Sequence, residues 1–137
     1  MKVMFDTNIY VSWIRGQKYG DLILKQGTVK YISAIVLMEL WAGARTKQAS
    51  RLIETLQKPY LKAGRVIPMT LKNYIVAGQI ISDLPLSYKN MFKKSDFIND
   101  IQIALTVSAT GATLYTNNET HFKIIKSLLK PLNVVYV

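Results

Sequence analysis

The sequence contains no cysteine, and this absence excludes a disulfide framework and any metal site built on thiolates. A cysteine-free composition fits a reducing compartment, so we expect a cytoplasmic protein. No apolar run reaches the length of a membrane span, because the longest, residues 32–44, is interrupted by Glu39. Asp6 interrupts the N-terminal apolar segment in the same way, and no signal peptide is expected.

Acidic residues are also scarce. Eight Asp and Glu stand against 18 Lys and Arg, which gives a formal net charge of +10. Such a surplus argues for a polyanionic partner, with nucleic acid first. An acidic protein partner or a generally solvated basic surface would also fit this charge. The informative acids are those in strongly apolar neighbourhoods, namely Asp6, Glu39, Asp96 and Asp100.

Short apolar runs alternate with helical patterns along the 137 residues. The length predicts a single domain over residues 1–137, and a hydrophobic share of 50% supplies a real core. The alternation predicts an α/β protein with a three-layer α/β/α fold and a central, mostly parallel sheet. About five strands are expected, at residues 3–5, 29–32, 66–69, 112–115 and 134–136.

Asp6 follows the first apolar run directly and precedes a helix that we expect from Thr7 to about Gly16. In an open α/β sheet, chemistry sits at the carboxyl ends of the strands, and Asp6 is placed at such an end. The commoner explanation of an Asp between a strand and a helix is a helix cap. This stretch alone therefore leaves both interpretations open.

Glu39 is the only charge in a helix predicted over residues 34–44, with Ser33 as its N-cap. Apolar residues occur all round this helix, so it should be largely buried. A lone buried carboxylate costs several kcal/mol unless something compensates it. The alternatives are a solvent-facing position or an ion pair with Arg45 or Arg51.

Asp96 and Asp100 stand one turn apart at the start of a mostly buried helix predicted over residues 95–110. Each could interact simply with the helix dipole. That explanation suits Asp96 better, because Asp100 is followed at once by Ile101, Ile103 and Ala104.

Two further segments carry expectations. Residues 47–58 should form an amphipathic helix that Pro59 ends. Residues 87–94 mix Lys with Tyr88 and Phe92, which suits an exposed loop that contacts nucleic acid through phosphates and base stacking. A flexible linker with stray aromatic residues fits that segment nearly as well.

The acids Asp6, Glu39 and Asp100 come from distant parts of the chain and would repel one another if they met unpaired. A hard divalent cation resolves this repulsion, and Mg²⁺ prefers carboxylate oxygens. Such a centre orients a phosphodiester and activates a water molecule. No cysteine nucleophile or glycine-rich phosphate loop competes, and the only histidine, His121, has no obvious partner and is expected to be a surface or structural residue.

Four short motifs in this order resemble the PIN domain family, and within it the VapC toxins of toxin–antitoxin pairs. They cover almost the whole chain, from Val3 to the last strand. Each is weak alone, and together they are fairly specific. They are Asp6-Thr7-Asn8 after a strand, Glu39-Leu40-Trp41-Ala42-Gly43 in a helix, Asn99-Asp100-Ile101-Gln102-Ile103-Ala104, and residues 111–118 running on to Phe122.

The resemblance implies an endoribonuclease that depends on Mg²⁺ or Mn²⁺. Asp6, Glu39 and Asp100 match the family's metal-binding acids, and the fourth position, often Asp, falls on Asn118. An Asn still offers a carbonyl oxygen, but this departure puts a second metal in doubt. The same resemblance makes Asn8, Thr116 and Asn117 supporting residues of the catalytic site, with Asp96 and Glu119 as possible extra acids.

The resemblance also implies partners. An RNA substrate, a homodimer and a cognate antitoxin are expected, with the antitoxin's tail in a groove where it blocks the acids. Trp13 or Trp41 could serve that groove, although a core role is the commoner one for each.

Two other functions stay open. A PIN-like module that binds RNA or protein without catalysis is favoured by the Asn at position 118. A receiver-like phosphoacceptor also clusters acids around Mg²⁺, but it needs paired acids after the first strand and a lysine after a late strand. Here one acid follows the first strand and no lysine stands in residues 116–118.

Overall fold

Helices and strands alternate along the computed structural model, which describes residues 1–16, 18–91 and 95–137. The strands are β1 (Lys2–Phe5), β2 (Val29–Lys30), β3 (Ile32–Ser33), β4 (Val66–Ile67), β5 (Thr113–Thr116) and β6 (Asn133–Tyr136). The helices are α1 (Thr7–Gly16), α2 (Gly20–Ile23), α3 (Ala34–Gly43), α4 (Lys47–Ala63), α5 (Leu71–Asp83), α6 (Leu86–Met91), α7 (Ser95–Thr110) and α8 (Glu119–Leu128).

A four-stranded sheet in the order β2-β1-β5-β6 forms the centre, and every pairing in it is parallel. β3 and β4 form a separate parallel pair. The α/β class and the parallel central sheet are therefore confirmed. The central sheet has four strands where about five were expected, and the separate pair holds the other two described strands.

The difference arises at Tyr31, where the strand expected over residues 29–32 is divided. The Tyr31 N–H still donates to Val3 O in β1 at 3.0 Å. The next N–H, of Ile32, donates instead to Arg65 O beside β4 at 2.9 Å. The second half of the expected strand thus leaves β1 and pairs with β4.

The parallel pairing of β1 with β5 aligns their carboxyl ends. Phe5 is in register with Tyr115, and the Asp6 N–H donates to Tyr115 O at 3.0 Å. Because parallel strands end at the same edge of a sheet, Asp6 and Thr116 become neighbours although 110 positions separate them.

α7 is the most buried helix among those described. Eight of its residues are buried, and it packs against α3, α5 and α8. The core around it is apolar, with Phe5, Tyr10, Phe97 and Phe122 among its largest buried side chains. Asp100 is buried on this helix, so a carboxylate stands inside an otherwise apolar layer.

Hydroxyl side chains begin three of the helices. Ser33 accepts the Ile35 N–H, which confirms it as the N-cap of α3, and Thr46 and Thr70 cap α4 and α5. None of the helices in the described ranges has both the length and the apolar character needed to cross a membrane.

Pro59 does not end α4, which continues to Ala63 and closes at Gly64, where φ is +67°. The expectation that the helix ends at Pro59 is therefore wrong. One residue beyond it, Tyr60 is 8% exposed, and its hydroxyl lies 2.8 Å from that of Tyr10 in α1. Burial of this side chain against α1 offsets the hydrogen bond that proline removes from the helix.

α3 is less buried than its composition predicts. Ile35, Val36 and Leu40 face the core, but Met38 is 51% exposed and Trp41 39% exposed. The expectation of a largely buried helix is wrong because α3 packs against α1, α4 and α7 on one side and has an open face.

The first part of the segment expected as an exposed loop over residues 87–94 is helical in the structure. Residues 87–91 belong to α6, so that part of the expectation is wrong. Pro85 O accepts the N–H groups of Tyr88 and Lys89 in the first turn of this helix, which explains its start. Phe92, Lys93 and Lys94 lie outside the described residues.

Candidate active site

Asp6 lies at the carboxyl end of β1 with only 3% of its surface exposed. Its Oδ1 accepts the N–H of Thr7 at 2.8 Å, and its Oδ2 accepts the Thr116 hydroxyl at 2.8 Å. Burial raises the pKa of the Asp6 carboxyl, the two hydrogen bonds lower it in part, and the charge of Glu39 raises it further. Asp6 therefore holds the first N–H of α1, as a cap does, and also faces the other acids.

Glu39 is tied to Asp6 through Thr7. The Thr7 hydroxyl donates to Glu39 Oε1 at 2.7 Å, while the same residue's N–H binds Asp6. The Asn99 amide donates to Glu39 Oε2 at 3.4 Å. No ion pair with an arginine forms at Glu39 in the part of the chain that the structure describes, so that alternative is not the one adopted.

Asp100 is 8% exposed and lies among negative neighbours. Burial, followed by the charges of Asp6, Glu39 and Asp96, raises the pKa of the Asp100 carboxyl to about 8. Its Oδ2 accepts the Asn118 amide at 3.1 Å and lies 2.6 Å from His121 Nδ1. A helix-dipole role alone does not explain an acid in this position.

Asn118 stands at the join of β5 and α8. Its side-chain oxygen accepts the His121 N–H at 3.3 Å and so caps α8, while its Nδ2 faces Asp100. The Asn118 N–H donates to the Thr116 hydroxyl at 3.0 Å. Thr116 therefore links Asp6 to the residue that holds Asp100.

The expectation that His121 has no partner is wrong, whereas a structural role for it was one of the two expected. Its ring contacts Asp100 and lies 3.0 Å from Asn118 Nδ2. Burial lowers the pKa of the imidazole, and the charge of Asp96 acts in the opposite direction. The available sequence signal was its spacing, since the third residue after an N-cap lies beside the cap.

Thr7 and Asn99 are the other residues of this cluster that the sequence did not single out. Both adjoin acids that it did single out, Asp6 and Asp100, but the side chain of each donates to Glu39. Their partner is therefore distant in sequence, and only the packing of α1 and α7 against α3 brings the groups together.

The structure leaves four of the expected site residues outside this hydrogen-bonded cluster. Asp96 is exposed and acts on Asp100 through its charge alone. Glu119 pairs with Lys123 at 2.6 Å on the surface of α8. Asn8 and Asn117 are exposed, and within the described ranges neither side chain bonds to an acid.

The donor set fits a hard divalent cation in its chemistry. Asp6, Glu39 and Asp100 offer carboxylate oxygens, and no lysine or arginine pairs with them among the described residues. In the same part of the chain, no three His, Asp or Glu side chains are placed so that they could hold a metal ion together. Each acid is instead held by a neutral donor, so binding of a cation requires side-chain movement.

A cavity of 720 Å³ lies elsewhere, between α1, α2 and α4. Trp13 lines it and Trp41 does not, although Trp41 Nε1 donates to Gln57 on α4 at 2.9 Å. The walls are mostly apolar, with Lys30 and Arg65 as the charged lining residues. We call this cavity the groove; it is lined by Tyr10, Trp13, Ile14, Ile23, Leu24, Thr28, Lys30, Leu52, Thr55, Leu56, Pro59, Tyr60 and Arg65.

Most of the chain matches the model of a known protein family. The model of the PIN domain matches residues 3–127, which include every acid of the cluster. The chain belongs to the PIN domain family. The resemblance seen in the sequence motifs is thereby confirmed.

Relatives of this PIN domain include the Ribonuclease VapC2 of Rickettsia felis, which is 31% identical over 136 residues and is matched over 94% of this chain and 96% of its own. A chain in the crystal structure of VapBC2 from Rickettsia felis bound to a promoter DNA fragment is 28% identical, with a TM-score of 0.68 and coverage of 100% and 99%. A chain of VapBC-1 from nontypeable Haemophilus influenzae, 23% identical with a TM-score of 0.66 and coverage of 99% and 98%, shares the fold.

Proposed function

We propose that this PIN domain is a metal-dependent endoribonuclease and the toxin of a VapBC-type pair. The observation that carries the proposal is the hydrogen-bonded cluster in which Thr7, Thr116 and Asn118 link Asp6, Glu39 and Asp100, without a lysine or arginine partner in the described residues. The relative named Ribonuclease VapC2 supports the same activity. A cytoplasmic location stays a prediction.

In this proposal Asp6, Glu39 and Asp100 hold Mg²⁺ or Mn²⁺, with Thr7, Thr116 and Asn118 supporting them. When bound, the ion would polarise the phosphodiester and activate a water molecule. The chain itself keeps the carboxylates apart on separate elements. Its neutral donors hold each carboxyl group without pairing it with a positive side chain, so the oxygens stay available to a cation.

Asp6→Asn tests the activity. We expect cleavage of labelled total RNA by the parent chain with Mg²⁺ or Mn²⁺, none in EDTA, and a loss of more than about 100-fold in the variant, since even outer ligand partners are worth 10–100-fold. Thermal unfolding in EDTA checks that the variant folds. Glu119→Gln is the matched control, because it removes a nearby acid outside the cluster.

A second function remains in play because Asn118 replaces the acid expected at the fourth family position. A folded, metal-loaded chain that binds RNA without cutting it would favour the non-catalytic module. Cleavage that persists in Asp6→Asn would contradict the proposed site altogether.

We further propose that an antitoxin segment occupies the groove. None of the acids lines this groove, so this segment is a different one from the tail that the resemblance implies at the acids. The likeness to chains of solved VapBC structures supports an antitoxin partner. The groove offers an apolar surface with Lys30 and Arg65 and no acidic lining residue, so its occupant should be an apolar segment that carries an acid.

Arg65→Glu tests this occupant. For an antitoxin that co-purifies with the chain, we expect at least about tenfold weaker binding to the variant, because a like charge then faces the partner's acid. Lys62→Glu makes the same charge change on the exposed surface of α4 outside the groove and should bind normally. Equal affinities for both variants would place the antitoxin elsewhere.

The homodimer is likewise a proposal. Leu71, Tyr74 and Ile75 are 78%, 57% and 54% exposed on one face of α5, and their spacing forms an apolar stripe. A second copy is the occupant we propose for it. Light scattering should give twice the 15.5 kDa chain mass, falling toward one chain mass in Ile75→Lys but not in Leu61→Lys, which alters an exposed leucine of α4.

A further inference from the structure

Two side chains contact Asp100, and one of them, His121, has no part in the function proposed so far. Asp100 Oδ2 lies 2.6 Å from His121 Nδ1 and 3.1 Å from Asn118 Nδ2. The His121 ring also packs edge-on against Phe97, with ring centroids 5.1 Å apart and an angle of 79° between the planes. Phe97 is 1% exposed, so the ring is supported by the core.

This arrangement engages one oxygen of Asp100 and not the other. Both contacts fall on Oδ2, and within the described residues Oδ1 has no hydrogen bond. A carboxylate held at one oxygen rotates less freely, so its other oxygen is presented in a preferred direction. Such hydrogen-bonded support of a ligand carboxylate is what tunes a metal site from outside.

We propose that His121 is a positioning residue that orients Asp100 for a divalent cation and, together with Asn118, fills the place of a fourth acid. The inference rests on the proposed metal-dependent function. With Asp100 ionised, Nδ1–H donates to Oδ2 and leaves Oδ1 to the cation. Asn118 fixes the backbone of the histidine in turn, because its side-chain oxygen accepts the backbone N–H of His121.

Two substitutions separate the donor from the ring. His121→Phe keeps an aromatic ring against Phe97 and removes Nδ1. His121→Asn loses the ring, but its amide nitrogen is as many bonds from Cβ as Nδ1 is, so it can donate to Asp100. Titration with Mn²⁺, followed by the electron paramagnetic resonance of the free ion, measures affinity without any cleavage.

We expect His121→Phe to bind Mn²⁺ about tenfold more weakly and His121→Asn to stay within about threefold of the parent chain. In an Asp100→Asn background, His121→Phe should produce no further loss, because its effect passes through Asp100. Thermal unfolding in EDTA reports the fold of each variant separately.

Unchanged affinity in His121→Phe would overturn the inference. So would an equal loss from His121→Phe in the Asp100→Asn background, which would make the imidazole itself a ligand. A loss in His121→Asn as large as in His121→Phe would mean that a donor at this position is not sufficient to orient Asp100, and it would also overturn the inference. Failure of the parent chain to bind Mn²⁺ would instead refute the proposed metal dependence.

Discussion

Thr7 holds two of the acids at once, and it does so with two different groups. Its N–H binds Asp6 and its hydroxyl binds Glu39, so both acids are fixed relative to the first turn of α1. A lysine in this place would fix them too, but it would neutralise them. Neutral donors leave the acids without a positive partner. Burial raises the pKa values of the Asp6 and Asp100 carboxyls, and the charges of neighbouring acids raise them further.

That electrostatic cost predicts how stability depends on pH at the residue scale. Asp100 has a pKa of about 8 in the folded chain against 3.8 in the unfolded one, so the folded state holds the extra proton between these values. Stability should therefore fall as pH rises toward 8. The His121 pKa is lowered from 6.5, so titration of this residue makes stability rise with pH, but only below pH 6.5. Between pH 6.5 and 8 the effect of Asp100 is therefore seen without that of His121.

Thermal unfolding in EDTA over that window measures the effect. The melting temperature of the parent chain should fall with rising pH, and Asp100→Asn should flatten the curve. Added Mn²⁺ should raise the melting temperature most at pH 8, because the ion binds the ionised carboxylates. A parent curve that is flat without metal would contradict the raised pKa of Asp100.

At the scale of elements, α1 and α4 are joined by a polar contact inside an apolar wall. The hydroxyls of Tyr10 and Tyr60 lie 2.8 Å apart, and burial raises the pKa of each phenol. Tyr10 is 0% exposed and Tyr60 is 8% exposed at the groove. When its partner is removed, the Tyr60 hydroxyl is therefore better placed than the Tyr10 hydroxyl to bind water.

Single and double Tyr→Phe variants test this joint. Tyr60→Phe leaves the fully buried Tyr10 hydroxyl without a partner and should cost about 1–3 kcal/mol of unfolding free energy. Tyr10→Phe should cost less, because Tyr60 keeps 8% of its surface exposed whereas Tyr10 has none. The double variant should be more stable than Tyr60→Phe alone, as measured by urea unfolding. Additive losses would mean that the hydroxyls do not act as a pair.

At the scale of the whole molecule, we expect the positive surface charge to bind the RNA backbone and the acidic cluster to bind the divalent ion. The formal charge of +10 attracts phosphates over the surface, while the acids occupy one edge of the sheet. Affinity should therefore depend on salt far more than on the divalent ion.

Binding of Asp6→Asn to single-stranded RNA in EDTA tests that division. The logarithm of the affinity should fall linearly with the logarithm of salt concentration, with a slope of about −0.7 per phosphate contact. Three contacts then give a loss of roughly 20-fold between about 50 and 200 mM salt. Binding to DNA of the same sequence shows whether the chain distinguishes RNA from DNA. An affinity that does not change with salt concentration would contradict binding through phosphate contacts.

The sequence predicted the α/β class, the parallel sheet and the acids Asp6, Glu39 and Asp100 because these depend on local pattern. An apolar run that stops at an acid, or a charge inside an apolar helix, is visible in a few neighbouring residues. Ser33 as an N-cap is of the same kind, and the structure has it. That residues 1–137 form one domain stays a prediction.

Only the tertiary structure decided which groups hold those acids and where strands and helices change direction. Thr7 and Asn99 donate across 32 and 60 positions to Glu39, and His121 reaches back 21 positions to Asp100. The division at Tyr31 and the continuation of α4 past Pro59 depend likewise on β4 and on Tyr10, which are distant in sequence. A hydrogen bond depends on the distance between two atoms in space, and for distant residues only the packing of the elements sets that distance.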